Sequence, residues 1–325
     1  MAQTMEDRQA GPITTHTLPW LLEPDNPSVR FFALRDLLDR PVADPEVGEA
    51  RAAVMRSRPV QAVLDEFSAP HYWDILDDEH VRAHSVWVLL LAELGAAPAH
   101  PLVRRACEFL FQAMQWDDGA FPSRHPVYSG VRTCAQGLYA GALLRLSPNP
   151  DPRLERAVEF AASMDYECVY NAGLPCAWGV VKLLRLMAAI PSHRRSPAVT
   201  AAIERGVDFL LKFDLAQADY PSAEAVSPEW FRFGFPRGYQ SDVLETLETL
   251  AWLGCAPQAR LEVAVGLVLR KRRPDGRWDA EFVSPRAQEV GIDHAGGPSK
   301  WITLRALRVL RWWNSGTVSQ SSNLW

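Results

Sequence analysis

Two short stretches decide the fold: Gln115-Trp-Asp-Asp-Gly-Ala-Phe121 and Arg273-Pro-Asp-Gly-Arg-Trp278. Each sets Asp-Gly beside aromatic residues. Asp-Gly makes a tight turn at little steric cost, and a neighbouring ring packs it down. Both turns follow segments of one design, Pro101-Leu-Val-Arg-Arg-Ala106 and Pro257-Gln-Ala-Arg-Leu-Glu-Val-Ala264, and Asp151-Pro-Arg-Leu-Glu-Arg-Ala157 is a third copy. The chain is therefore built on an internal helix-pair repeat.

Working outward, apolar residues recur at helical spacing over 29–38, 81–94, 102–114, 131–146, 154–164 and 176–190. The same spacing continues over 199–211, 241–253, 261–269 and 301–313, and a further helix is expected across 47–67. Strand-like alternation is scarce. Pro27, Pro101, Pro152, Pro197 and Pro298 stand at or just before helix starts, and Gly95 and Gly254 stand just past helix ends. Richly apolar helices alternate with more charged ones. Unpaired apolar segments remain at both ends, around Trp20 to Leu38 and Ser299 to Trp313. Joining them completes a sixth unit. The expectation is an all-α, closed (α/α)6 toroid over residues 18–315, with a mobile N-terminal segment over 1–17 and a mobile tail over 316–325.

With 325 residues, 48% of them apolar, the chain has ample material for a large core, and its net charge of −5 leaves no basic excess for nucleic acid. There is no membrane-spanning apolar run and no apolar signal core near the N-terminus, so a cytoplasmic protein is expected. The five cysteines are odd in number and include no C-x-x-C pair, which argues against a disulfide scaffold. Phosphate-binding loops, dinucleotide fingerprints, H-E-x-x-H and G-x-S-x-G are all missing.

The Asp-Gly turns between alternating helices resemble the repeats of the terpenoid cyclase and protein prenyltransferase superfamily. The segments Trp20-Leu-Leu-Glu-Pro-Asp-Asn-Pro-Ser-Val-Arg30 and Ser299-Lys-Trp-Ile-Thr-Leu-Arg-Ala-Leu307 are similar to small bacterial prenyltransferase/squalene-oxidase repeat proteins. The resemblance implies that the apolar helices line a central cavity and point their first turns at its mouth. Those turns carry Arg30, Arg82, His84, Arg132, Cys134, Gln136, Cys176, Trp178, Tyr239, Asp242, Lys300 and Trp301. Aligning the helices on their apolar stretches puts His84, Cys134, Cys176 and Asp242 at nearly one level.

Three readings follow. In the first, an isoprenoid or other apolar chain is cyclised by acid. Asp242 is the proton donor, with Tyr239, His84 and the run Asp74-Ile-Leu-Asp-Asp-Glu-His80 as further candidates. That run, with Asp77 and Asp78, is spaced D-x-x-D-D where the family's cyclases have D-x-D-D. Trp178, Trp301 and Trp87 would wall the cavity, and Arg132, Gln136, Lys300 and Arg30 would offer polar contacts. The bland alternative makes Asp242, Asp77 and Asp78 helix caps. In the second reading Cys134, Cys176 and Cys168, with His84 or Asp242, hold Zn²⁺ for a transferase or cyclase. The D-x-C and Cys-His pairings of the related zinc enzymes are missing, and buried cysteines also serve as plain packing. Mg²⁺ on an acidic run is the other cofactor the resemblance suggests, though Asp77-Asp78 lacks the later Asp of D-D-x-x-D. The third reading is a toroid that binds an apolar ligand or peptide without chemistry. His294, in a Gly-rich loop, is either a lid residue or surface.

Overall fold

The computed structural model describes residues 17–127, 129–147 and 150–316; residues 1–16 and 317–325, most of the two segments expected to be mobile, lie outside them. Helices begin where the sequence offers a cap or a proline. Helix α1 (Thr17–Leu21) leads to α2 (Pro27–Asp36), whose Asn26 cap accepts from the Val29 N–H at 3.1 Å. Helices α3 (Pro45–Val54) and α4 (Arg58–Phe67) follow, then α5 (Asp78–Leu94), α6 (Pro101–Met114) and α7 (Thr133–Leu146). Helices α8 (Pro152–Ser163), α9 (Ala177–Ala188), α10 (Pro197–Leu211) and α11 (Val243–Trp252) come next, then α12 (Glu262–Arg270), α13 (Pro285–Glu289) and α14 (Lys300–Ser315). The described chain is thus mostly helical, and none of these helices is long and apolar enough to cross a membrane.

Three local expectations change. The single helix over 47–67 is two, because the Ser57 hydroxyl donates back to the Val54 carbonyl at 2.7 Å and Pro59 cannot continue an incoming helix. Thr17, placed in the N-terminal segment by the sequence, opens a helix and is fully buried. Two short strands, β1 (Pro122–Ser123) and β2 (Gly130–Val131), pair antiparallel just before α7. The Asp-Gly turn itself is as read. Gly119 has φ +96°, and a Cβ there would meet the Arg156 backbone at 2.5 Å, so only glycine lets the turn seat on α8.

Helix α7 lies between α5 and α9. Helix α9 packs on α11, α11 on α14, and α14 on α2. The α7–α9 approach is close because Gly137 has no side chain, and a Cβ there would stand 2.4 Å from the Lys182 carbonyl carbon. The first and last described helices meet. The Lys300 ammonium donates to Glu23 at 2.8 Å and also to Asp25, and the Phe32 and Trp301 rings lie 6.1 Å apart.

The facing sides of these six helices do not meet as an apolar plug. They converge on a buried ionic hub. Glu93 of α5 pairs with Arg145 of α7 at 2.7 Å and with Arg185 of α9 at 2.8 Å. Glu248 of α11 accepts from Arg305 and Arg308 of α14, both at 2.8 Å, and Arg308 reaches Asp36 of α2. Lys182 of α9 pairs with Glu245 of α11. Burial pushes the Glu93 carboxyl up, but Arg145 and Arg185 outweigh it and hold it at about 2. The same balance, won by cations, keeps Asp36, Glu245 and Glu248 below the ordinary range. Burial brings Lys182 down to about 8 against the pull of Glu245, so it stays an ammonium at neutral pH. The gap beside Glu93, Arg145, Lys182, Arg185 and Glu245 holds about 20 Å³, roughly the room of one water.

Candidate functional site

The N-terminal ends of α5, α7 and α9 face away from the hub into a cavity of about 650 Å³. Helix α5 contributes Arg82, Ser85, Val86 and Leu89, and α7 contributes Cys134, Ala135, Leu138 and Tyr139. In each helix these positions recur three or four apart and so share one face. Ala177 and Trp178 come from the first turn of α9, with Cys176 just before it. Loops close the sides with Arg132, Cys168, Tyr170, Tyr220, Val226, Tyr239 and Gln240. The wall is mainly aliphatic and aromatic. The Trp178 and Tyr239 rings are 6.3 Å apart at one side, and Tyr239 is half exposed at the rim. The Arg132 guanidinium lies 5.4 Å over the Tyr170 ring at the opposite lip. Burial pushes the Tyr139 hydroxyl above its ordinary range, so it stays a neutral phenol beside Ser85.

The expected site residues divide on this geometry. Tyr239, Trp178, Arg132, Cys134, Cys168 and Cys176 come together around the cavity. The others do not line it. Asp242 is the N-cap of α11: its Oδ1 accepts from the Glu245 N–H at 2.6 Å and its Oδ2 from the Gly234 N–H at 3.2 Å. Arg237 stands 3.5 Å from the same carboxylate. Burial still pushes the Asp242 carboxyl up, against Arg237 and Arg305, but both oxygens are turned to backbone and not to the cavity. His84 is a core residue. Its Nε2 pairs with the Ala106 carbonyl at 2.9 Å and its Nδ1 with the Tyr72 hydroxyl at 3.0 Å, among Phe67, Trp73 and Phe109. Burial lowers it to about 4, so it is neutral.

Asp77 caps α5 through the His80 N–H at 2.9 Å, and the exposed Asp78 pairs with Arg124 at 2.8 Å. Gln136 is wholly structural. It accepts from the Phe121 N–H and donates to the Gly119 and Ala157 carbonyls, tying the Asp-Gly turn to α7 and α8. Lys300 is held by Glu23 and Asp25, and Arg30 by Glu46 at 3.0 Å. Trp301 stacks on Phe235 at 3.9 Å, and Trp87 is buried under Arg286. These first-turn residues are engaged in capping and in contacts between helices.

The expected zinc set is not assembled. His84 has both ring nitrogens engaged in the core, and among the described residues no three of His, Cys, Asp or Glu stand together as a metal ion requires. Asp77 and Asp78 are likewise split between a cap and an ion pair, so they do not form a magnesium site.

No protein-family model matches the chain, and no curated protein does. Among solved structures it is similar to a protein from Actinoplanes, at 17% identity and a TM-score of 0.42, covering 91% of this chain and 90% of that one. It is also similar to a type II terpene cyclase from Scytonema, solved with geranylgeranyl dihydroxybenzoate. There the identity is 14% and the TM-score 0.41, with 95% and 99% of the two chains covered.

Proposed function

We propose that the chain is an α/α toroid of six helix pairs that takes a small, mostly apolar molecule of isoprenoid type into the cavity at the mouth of its inner helices. The observation that carries this is the cavity wall. It offers about 650 Å³ lined by Leu89, Leu138, Tyr139, Trp178 and their neighbours, a size and lining suited to a ligand of some twenty heavy atoms on the order of magnitude. Arg82 and Arg132 at the edge suit a ligand with one polar or anionic end. Acid-initiated cyclisation is the catalytic form of the same reading. The lining does not favour it, because the one carboxylate there, Glu224, is exposed. A proton donor for an alkene needs a dry site.

The test is titration with farnesol, farnesyl diphosphate and a farnesylated benzoic acid, read by tryptophan fluorescence with Trp178→Phe as control. Saturable quenching that is lost in the variant supports the cavity. Extraction of the ligand after incubation separates the two forms: unchanged ligand is binding, and a cyclised product is catalysis. If none of the three binds, the reading fails.

A further inference from the structure

Three thiols, Cys134, Cys168 and Cys176, line the cavity, and none is in a disulfide. Two of them are placed by one hairpin. Glu167 and Pro175 face each other as an antiparallel bridge. The Cys168 N–H donates to the Leu174 carbonyl at 3.1 Å, and the Cys176 N–H to the Tyr166 carbonyl at 2.8 Å. In that register residues 168 and 176 sit diagonally across the bridge on the same face. The turn between the arms is tight, with Ala172 at φ +50° and Gly173 at φ +81°, and Asn171 ties it to the neighbouring loop through the Pro221 carbonyl and the Ala223 N–H. The hairpin therefore holds two thiols side by side at the edge of an open cavity.

We propose that Cys168 and Cys176 form a thiol–disulfide exchange pair opening on this cavity, with Cys168 attacking, Cys176 resolving and small organic disulfides as the substrate class. The electrostatics agree with that division. Hydrogen bonding with Cys176, helped by backbone N–H groups and Arg132, draws the Cys168 thiol below its ordinary range against burial and favours its thiolate. The same hydrogen bond, with burial, pushes Cys176 up and keeps its proton on. Burial pushes Cys134 up, Cys107 to about 12 and Cys255 to about 11, which leaves one ready nucleophile among the five.

The exchange balances in two steps. The Cys168 thiolate attacks one sulfur of R–S–S–R. A new S–S bond forms, the substrate S–S bond breaks, and one RS⁻ leaves. Cys176 then gives its proton to that thiolate or to water and attacks the Cys168 sulfur, displacing the second RS⁻. The protein loses two hydrogens and is oxidised by two electrons, and one disulfide becomes two thiols.

The experiment treats the full chain with a stoichiometric aromatic disulfide that releases a coloured thiol, followed by intact mass and peptide mapping. Two coloured thiols should appear per protein, with a mass lower by two hydrogens and a mapped Cys168–Cys176 bond. The rate should rise with pH about a midpoint below that of an ordinary thiol. Cys176→Ser should stop at the mixed disulfide on Cys168, and Cys168→Ser should slow release at neutral pH about tenfold or more. The proposal is overturned if the wild type accumulates a stable mixed disulfide, if Cys134 takes a place in the bond, or if Cys168→Ser reacts as fast as wild type. The wild-type mass and pH profile decide the matter even if a variant folds poorly, and neither depends on the apolar ligand.

Discussion

Lys182 and Glu245 meet head-on inside the hub: the ammonium donates to both carboxylate oxygens, at 2.6 and 2.8 Å, with 1% and 4% of the two side chains exposed. They stand 63 residues apart and tie α9 to α11. Removing one partner strands a buried charge, which costs about 3–5 kcal/mol, whereas replacing both by apolar groups of like volume is often neutral. Lys182→Met should therefore destabilise strongly, and Lys182→Met with Glu245→Leu should recover much of the loss. Urea unfolding of the two variants checks this. Equal losses would mean that the pair does not act as a unit.

Acid should melt the hub. The folded-state carboxyls of Glu93, Asp36, Glu245 and Glu248 lie below their ordinary values, so the unfolded chain binds more protons as pH falls. For Glu93 that stabilisation is full above the ordinary 4.5 and is lost as pH drops through about 2. Unfolding free energy measured against pH should fall across that window, and Glu93→Gln should flatten the fall. An unchanged slope in the variant would remove Glu93 from the balance.

Asp242 should behave as a cap. Asp242→Ala removes the acceptor of the Glu245 N–H and should cost about 1–2 kcal/mol, while Asp242→Asn, which can still accept that bond, should cost less. Ligand affinity should stay within twofold in both, since the carboxylate does not line the cavity. If Asp242→Asn abolished turnover of a prenyl substrate while leaving binding and stability intact, the acid reading would return.

Closure of the ring is tested at its seam. Lys300, Arg308 and Arg311 of α14 reach Glu23, Asp36 and Asp39, and Phe32 also packs beneath Gly95 at the end of α5. Deleting residues 1–40 would strand these cations and expose the α14 face. The whole protein should then lose its cooperative melt. A truncated chain that melts as the full one does would mean that the ring is open.

The helices were legible because their period, prolines and capping residues act locally, as at Asn26, Pro101 and Asp151. Cavity residues on a helix's first turn, such as Trp178 and Cys134, were legible for the same reason. Tyr139 was missed, although it shares the cavity face of α7 with Cys134. The hub was missed altogether. Its signal was a charge pair three apart on three apolar helices: Lys182 with Arg185, Glu245 with Glu248, and Arg305 with Arg308. Each pair alone reads as a solvated face. Only the partners, brought in from other helices, turn it inward. Asp242 and His84 stand at a cap and in the core, positions that look like catalytic ones in a sequence until their hydrogen bonds are seen.

The hub also sets the traffic of the molecule. The gap beside Glu93, Arg145, Lys182, Arg185 and Glu245 has room for about one water, too little for an organic guest. A guest barred on that side comes and goes past the loop-lined rim. A guest longer than the cavity must leave one end standing in the opening, among Arg132, Tyr170 and Tyr239. Chain length would then be sensed at the threshold, by what protrudes, and a second guest could enter only after the first had gone.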